Sequence, residues 1–247
     1  MIKDLEYTLK NIFFSEKFLL KKRLKRALKN NYEKELKLIE SFGNKKKNAV
    51  DVGVYRGVYS YKLSKHFKKV YSYEPNPLLY PYLKKNLEQI IENMILSNFA
   101  LSDKTGNINL RIPKRSKSIF KKNIEELYQL GCATIHDQNL FKEFDTFIVK
   151  KEKLDNLLQE EQIGFIKIDV EGHETEVIKG SIELIKKQKP ILLIEIEERH
   201  SKKPVLDTIK FINSLGYKSY YFEDEKLIST GNLKNFKKNN NYLFKED

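Results

Sequence analysis

The sequence lacks the features that mark secreted, membrane-spanning and disulfide-stabilised proteins. Its 247 residues contain one cysteine, Cys132, which can form no internal disulfide and offers no spaced set of metal ligands. No apolar run approaches the roughly 20 residues that a membrane-spanning helix needs. The apolar residues 12–14 are followed at once by Ser15 and two charged residues. We therefore expect no secretion signal and a protein that works in the reducing cytoplasm.

Arginine is scarce as well. The formal net charge is +13, yet only six of the 47 basic residues are arginines. Residues 1–47 carry a net charge of +8, which leaves +5 for the remaining 200 residues. Because arginine is the preferred partner of phosphate, an excess made mostly of lysine weakens a nucleic-acid hypothesis without removing it.

The order of apolar segments predicts an α/β fold. Residues 1–47 place apolar positions at helical spacing and predict a basic helical extension. From residue 48 to 247 short apolar runs alternate with amphipathic segments, which is typical of a doubly wound, mostly parallel sheet. This alternation lapses at about residues 104–150, where we predict a less regular insertion. The predicted strands are residues 49–54, 70–73, 94–101, 107–112, 144–150, 165–170, 191–196, 217–222 and 241–244. The predicted helices after residue 47 are 57–66, 77–91, 153–158, 174–187 and 205–215.

The loop after the first strand carries a nucleotide-binding pattern. Asp51, Gly53 and Gly57 stand where a doubly wound sheet binds its nucleotide. Gly53 allows a ligand to approach the backbone, and Gly57 lets the helix begin close to the strand. A dinucleotide site needs a further glycine where Tyr55 stands. The loop therefore predicts an adenosyl ligand rather than NAD, with an ordinary tight turn as the alternative.

Glu74 follows the second strand, 21 residues after Gly53. A carboxylate at this position can accept hydrogen bonds from both ribose hydroxyls, and its charge opposes a 2′-phosphate. The alternative is an exposed carboxylate without a ligand. The loop and Glu74 together favour an adenosyl cofactor.

The strand predicted at residues 165–170 carries charges that a buried parallel strand normally lacks. Lys167 interrupts it and needs a carboxylate nearby. We expect Glu195, in the next strand, to be that partner in a structural role. With a strand order of 3-2-1-4-5, Asp169 and Glu171 lie beside the cofactor.

Three residues at the end of this strand are candidates for a catalytic base. Asp169, Glu171 or His173 could remove the proton that makes an alcohol a poor nucleophile near neutral pH. The same residues with Glu195 could instead hold a divalent cation. We predict a metal-free site, because acidic clusters at such positions are often metal-free active sites.

Taken together, these motifs resemble the FkbM family of Rossmann-like, S-adenosylmethionine-dependent methyltransferases. The matching pieces are the Asp51–Gly57 loop, residues 73–77, 100–103, 154–158, 166–174 and 190–195. The resemblance implies a seven-stranded sheet, S-adenosylmethionine as cofactor and O-methylation of a hydroxyl on a sugar, polyketide or similar metabolite.

The resemblance also implies roles for single residues. Asp51 and Gly53 would line the methionine end of the cofactor, Glu74 its ribose, and the segment from Ala100 to Asp103 its adenine. Gly57 and Asn76 complete the predicted cofactor-binding set. Many family members have asparagine where this chain has Tyr55, so this chain lacks any contact that the asparagine side chain makes.

Three functions stay open at this point. The first is methyl transfer to a hydroxyl of a sugar, glycan or other small metabolite. The basic residues 1–47 and the cluster Lys114, Arg115 and Lys117 would then attract an acidic glycan or an anionic membrane surface, unless they form a solvated helical face. The second is an RNA methyltransferase that uses the basic arm, although no N-P-P-Y-type segment is present. The third is a non-catalytic Rossmann-like binding module.

Overall fold

The computed structural model describes residues 15–30, 33–115, 127–136, 142–201, 203–233, 236 and 239–246. Lys117 of the predicted basic cluster and the first part of the N-terminal extension lie outside these residues. The helices are α1 (Glu16–Lys29), α2 (Leu36–Ser41), α3 (Val58–His66), α4 (Tyr80–Asn86), α5 (Leu154–Leu157), α6 (Glu174–Lys179), α7 (Ile182–Gln188), α8 (Glu198–Ser201) and α9 (Val205–Ser214). The strands are β1 (Asn48–Val52), β2 (Val70–Tyr73), β3 (Met94–Ser97), β4 (Ala100–Leu101), β5 (Gly106–Pro113), β6 (Phe144–Glu152), β7 (Ile163–Ile168), β8 (Ile191–Glu195), β9 (Lys218–Glu223), β10 (Lys226–Ser229) and β11 (Asn241–Lys245).

The main sheet has the strand order β10-β9-β11-β8-β7-β1-β2-β3. Strands β3, β2, β1, β7 and β8 are parallel neighbours, which confirms the expected 3-2-1-4-5 order. From β1 the chain first adds β2 and β3 on one side and later adds β7 and β8 on the other side. The point between β1 and β7 is therefore a topological switch point, where open α/β sheets bind ligands.

The predicted number of seven strands is wrong, because the sheet has eight. It is mixed: five neighbouring strands are parallel, whereas β11 runs antiparallel to both β8 and β9, and β10 pairs antiparallel with β9. The extra strand β10 arises from a two-residue hairpin at Asp224 and Glu225, which both adopt positive φ. Such turns usually have glycine at the second position, where this chain has Glu225, so the turn carries little local signal.

The predicted insertion contains a second sheet. Strands β5 and β6 pair antiparallel along their whole length, and β4 adds to β6 in parallel. The single strand predicted at residues 94–101 is therefore two strands, β3 and β4, in different sheets. Residues 127–136 lie against this smaller sheet through the bridge between Arg111 and Thr134.

Helix α1 packs into the body of the molecule. Its apolar face buries Leu20 and Leu24 in one cluster with Leu83 and Leu87 from the α4 region. Its N-terminus is capped by Ser15, whose Oγ accepts the backbone N–H of Phe18. Among the described helices, none combines the length and the apolar character that a membrane crossing requires. The contacts of Leu20 and Leu24 make this helix part of the folded core.

Candidate active site

A cleft of about 280 Å³ opens above the carboxyl ends of the central strands. It lies at the switch point between β1 and β7, with the end of β2 on one side. The loop after β1, the segment at residues 99–101 and the segment at residues 130–135 form its walls. Of the residues predicted from the sequence, the lining includes Gly53, Glu74, Ala100, Asp169, Glu171 and His173.

Gly53 and Gly57 are both required, but mainly for protein packing. Gly53 has a φ of 87°, and a Cβ placed on it would lie 1.8 Å from the backbone oxygen of Asp169. Gly57 has a φ of 75°, and its Cβ would lie 2.4 Å from Leu87. The first glycine therefore lets β1 and β7 meet beneath the cleft. The second lets α3 begin against the side chain of Leu87.

Glu74 sits at the end of β2 with its carboxylate held from two directions. Its Oε2 accepts the backbone N–H of Tyr55 and its Oε1 accepts that of Asn76, each at 3.0 Å. The side chain is buried, and burial raises its pKa to about 7 despite these two hydrogen bonds. Each carboxylate oxygen has a second lone pair, so Glu74 can still accept two hydrogen bonds from a ligand in the cleft.

The cleft is acidic although the protein is strongly basic. Five carboxylates line it, and Arg56 is the one lysine or arginine among the described lining residues. Such a site favours a cationic ligand and disfavours the pyrophosphate of a dinucleotide. The acidic lining residues are Glu33, Glu74, Asp169, Glu171 and Glu195.

Asp169 is the centre of a buried charge network. Lys167, which is 1% exposed, places its Nζ 3.5 Å from Asp169 Oδ2 and 4.8 Å from the ring centre of Tyr59. Burial and the neighbouring Asp169 carboxylate raise the pKa of Glu195 to about 8. Glu195 is therefore largely protonated at neutral pH, whereas Asp169 forms the ion pair with Lys167.

This network changes one expectation about Lys167. The sequence predicted Glu195 as its partner, whereas the ion pair is formed with Asp169. Burial lowers the pKa of Lys167, but the surrounding carboxylates, Asp169 first among them, outweigh burial and raise it. The lysine thus stays charged beneath the cleft.

Glu171 is held in an unusual backbone conformation at the cleft. Its φ is 53°, in the left-handed region that side chains other than glycine seldom adopt. The hydroxyl of Thr134 donates to the Glu171 carbonyl oxygen at 2.9 Å, so the insertion supports this turn. Strained backbone of this kind tends to occur at functional sites.

His173 lines the cleft but has both ring nitrogens engaged. Its Nε2 lies 3.0 Å from Ser102 Oγ, and its Nδ1 lies 3.2 Å from Nε2 of His136. Burial is the main cause that lowers its pKa to about 4, so the ring is neutral near pH 7. With Glu176, the two histidines have ligand atoms within 4.8 Å of one another, which differs from the cation set considered from the sequence.

The other predicted cofactor residues are not among the described cleft-lining residues, and their contact with the cofactor stays a prediction. Asp51 is 1% exposed; its Oδ2 accepts the Ser60 hydroxyl, and its Oδ1 has no hydrogen-bond partner among the described residues. Burial raises its pKa to about 7. Asn76 donates its backbone N–H to Glu74, and Asp103 accepts the Ser102 hydroxyl at 3.2 Å. Gly57 begins α3.

Several lining residues were not found from the sequence. Glu33 comes from the segment between α1 and α2, and the hydroxyl of Tyr59 donates to its carboxylate. Tyr55 projects its ring against Gly131, where an added Cβ would lie 3.0 Å from the ring. Leu130 and Ile135 come from the insertion. These residues are brought together by folding alone, and no local motif marks them.

A doubly wound sheet with an acidic cleft at its switch point has the arrangement of a Rossmann-like, ligand-binding fold. The family model described as the methyltransferase FkbM domain matches residues 51–219, more than half of the chain. The chain belongs to the FkbM methyltransferase family, as the sequence motifs predicted. No curated protein shows significant similarity to it.

The chain is similar to the following three solved structures, the first of which supports the fold. A methyltransferase FkbM from Methylobacillus flagellatus KT is 16% identical with a TM-score of 0.52, over 81% of this chain and 43% of that one. The chain thus spans less than half of that protein. An rRNA methylase from Streptococcus thermophilus is 14% identical (TM-score 0.48, 86% and 95% covered). The Streptococcus mutans protein SMU.1697c, solved in complex with SAH, is 13% identical (TM-score 0.48, 87% and 96% covered).

Proposed function

We propose that the protein is an S-adenosylmethionine-dependent O-methyltransferase that acts on a hydroxyl of a sugar, glycan or other small metabolite. The observation that carries this proposal is the acidic cleft at the switch point, with Glu74 at the end of β2 and Asp169 at the end of β7. Family membership supplies the reaction class. The acceptor and the choice of oxygen are our inference from the carboxylates.

The residues present fit this cofactor. S-adenosylmethionine carries a sulfonium and an ammonium group, and five carboxylates line the cleft. Glu74 has two free lone pairs for the ribose hydroxyls. The apolar side chains of Phe99, Leu101 and Ile135 offer a surface for the adenine. When bound, the cofactor supplies an electrophilic methyl group.

Asp169 is the base that this arrangement favours. It lies on the cleft wall at the end of β7, and Lys167 positions its carboxylate through an ion pair at 3.5 Å. Asp169 accepts the proton of the acceptor hydroxyl as the oxygen becomes a nucleophile. His173 is less suited to this role, because its nitrogens face Ser102 and His136.

The test is a labelled-methyl transfer assay with fractionated cell extracts, followed by mass spectrometry of the labelled product. We expect label on an oxygen of a small molecule or glycan. Asp169→Asn should reduce turnover by about 10²–10⁴-fold while the affinity for S-adenosylhomocysteine stays unchanged. Full turnover in this variant would remove Asp169 from the mechanism.

A matched control is Asp145→Asn. Asp145 has the same 34% side-chain exposure as Asp169 and also pairs with a lysine, Lys114, at 2.6 Å. It lies on β6, away from the cleft lining, so its loss should leave turnover intact. Label found on protein or nucleic acid instead of a small molecule or glycan would refute the proposed acceptor class.

A further inference from the structure

Four of the six arginines surround a second cavity. Arg23 and Arg26 on α1, Arg56 after β1 and Arg115 after β5 line a cavity of about 540 Å³. Lysine supplies most of the positive charge of this chain, so four arginines around one cavity are an unusual concentration. No acidic residue is among the described lining residues.

Within the described part of the chain, none of these four guanidinium groups forms an ion pair, and Arg115 donates its Nε to the carbonyl oxygen of Tyr128, at 3.2 Å. By contrast, Arg199, outside the cavity, pairs with Glu197. Four like charges around one cavity repel one another, and an anionic ligand would relieve that repulsion.

The cavity also has an apolar floor. Leu20, Leu24, Leu79 and Leu83 line it, and all four are at least nine-tenths buried in the surrounding core. A volume of this size is ordinary for a small-molecule site. Apolar walls with a few convergent charges suit an amphipathic ligand rather than a bare ion or a flat nucleic-acid surface.

The cavity adjoins the cofactor cleft. Tyr55, Arg56, Val58 and Leu130 line both spaces. Tyr55 stands between them, with the guanidinium carbon of Arg56 5.1 Å from its ring centre. A ligand seated among the arginines can therefore extend past Tyr55 toward Asp169.

We propose that this cavity binds the methyl acceptor through a phosphate or diphosphate group. The arginine forks recognise the phosphate oxygens, since guanidinium binds phosphate in a bidentate manner. The leucine floor holds the adjoining apolar part, and the hydroxyl enters the acidic cleft. This assignment of acceptor class rests on the proposed methyl transfer, but binding of the anion does not. A nucleotide-linked and an isoprenyl-linked acceptor share this chemistry.

The test measures binding of three probes by calorimetry in 150 mM salt: inorganic pyrophosphate, uridine diphosphate and farnesyl diphosphate. The variant Arg23→Gln with Arg26→Gln removes two charges from α1 without touching the cofactor cleft. The control, Lys22→Gln with Lys25→Gln, removes two charges from exposed positions of the same helix that do not line the cavity. Glutamine is a comparable helix former, so both variants should keep the fold.

We expect at least one probe to bind the wild type, and the arginine variant to weaken it by about a hundredfold, about tenfold for each arginine. The lysine variant should bind as the wild type does, because Lys22 and Lys25 do not line the cavity and charges farther from the ligand are screened more strongly at this salt concentration. Stronger binding of uridine diphosphate or of farnesyl diphosphate distinguishes the two sources of the diphosphate. Pyrophosphate binding alone confirms the anion site.

Two outcomes overturn the proposal: no binding of any probe, or an equal loss in the arginine and lysine variants. Titration with S-adenosylhomocysteine in the same experiment separates this failure from failure of the proposed function. If S-adenosylhomocysteine binds and the diphosphates do not, only the acceptor class is wrong. Binding of a generic RNA that the arginine variant abolishes, without diphosphate binding, would favour the RNA alternative instead.

Discussion

The substitution Glu74→Gln tests the cofactor site with little change in shape. In the wild type, the two carboxylate oxygens accept the backbone N–H groups of Tyr55 and Asn76, each at 3.0 Å. Each oxygen keeps one lone pair for a ribose hydroxyl. Glutamine has only one such oxygen and no charge, so one charge-assisted hydrogen bond to the ribose is lost.

The expected effect follows from that one bond. A hydrogen bond to a charged group contributes about 1.5–3 kcal/mol, so the Kd for S-adenosylhomocysteine should rise by about 10–150-fold. Titration calorimetry at pH 8 measures it with the carboxylate charged, because the pKa of Glu74 is about 7. One backbone N–H also loses its acceptor, but removal of a buried charge offsets this, so the melting temperature should change little.

Glu174→Gln is the matched control. Glu174 is also buried, its Oε1 accepts a backbone N–H from Gly172 at 2.9 Å, and burial raises its pKa to about 7. It does not line the cleft, so its loss should leave the affinity unchanged. Wild-type affinity in the Glu74 variant, or an equal loss in the control, would refute the ribose role.

Two further predictions concern folding. In urea unfolding, Gly53→Ala should lower the free energy of unfolding far more than Gly106→Ala. Both glycines have positive φ, but the new Cβ would lie 1.8 Å from a backbone oxygen at residue 53 and would have no atom within 4 Å at residue 106. Equal losses would show that φ alone matters. Asp51, Glu74 and Glu174 have folded-state pKa values of about 7 against 3.8–4.5 unfolded, so the stability they contribute is complete below about pH 4 and lost as pH rises through 7. The free energy of unfolding of the unliganded protein should therefore fall as pH rises from 5 to 7, by about 1.4 kcal/mol per pH unit for each of these carboxyls. A flat or rising profile over that range would contradict the burial of these acids.

The central strands were the most predictable part of the fold. Strand β2 (Val70–Tyr73) was predicted with its observed bounds, because a parallel strand covered on both faces is buried throughout and three of its four residues are apolar or aromatic. The helix predicted at residues 174–187 is two helices, α6 and α7. They separate at Gly180, where an added Cβ would lie 1.9 Å from the Ser102 oxygen. That contact joins distant segments and leaves no local signal.

The candidate site divides in the same way. Glu74 and Asp169 follow apolar strands, so their place at the carboxyl ends could be deduced from the strand order. The pairing of Lys167 with Asp169 could also have been deduced, since residues two apart on a strand face the same side. The places of Glu33 and of the arginines of the second cavity could not be deduced, because only tertiary packing brings α1 and the insertion together around the two cavities.

A crystal structure of the complex with S-adenosylhomocysteine tests the central claim most directly. The account predicts both ribose hydroxyls within hydrogen-bonding distance of the Glu74 carboxylate and the sulfur turned toward Asp169. It is contradicted if the nucleoside occupies another part of the molecule, or if the Glu74 carboxylate makes no contact with the ribose.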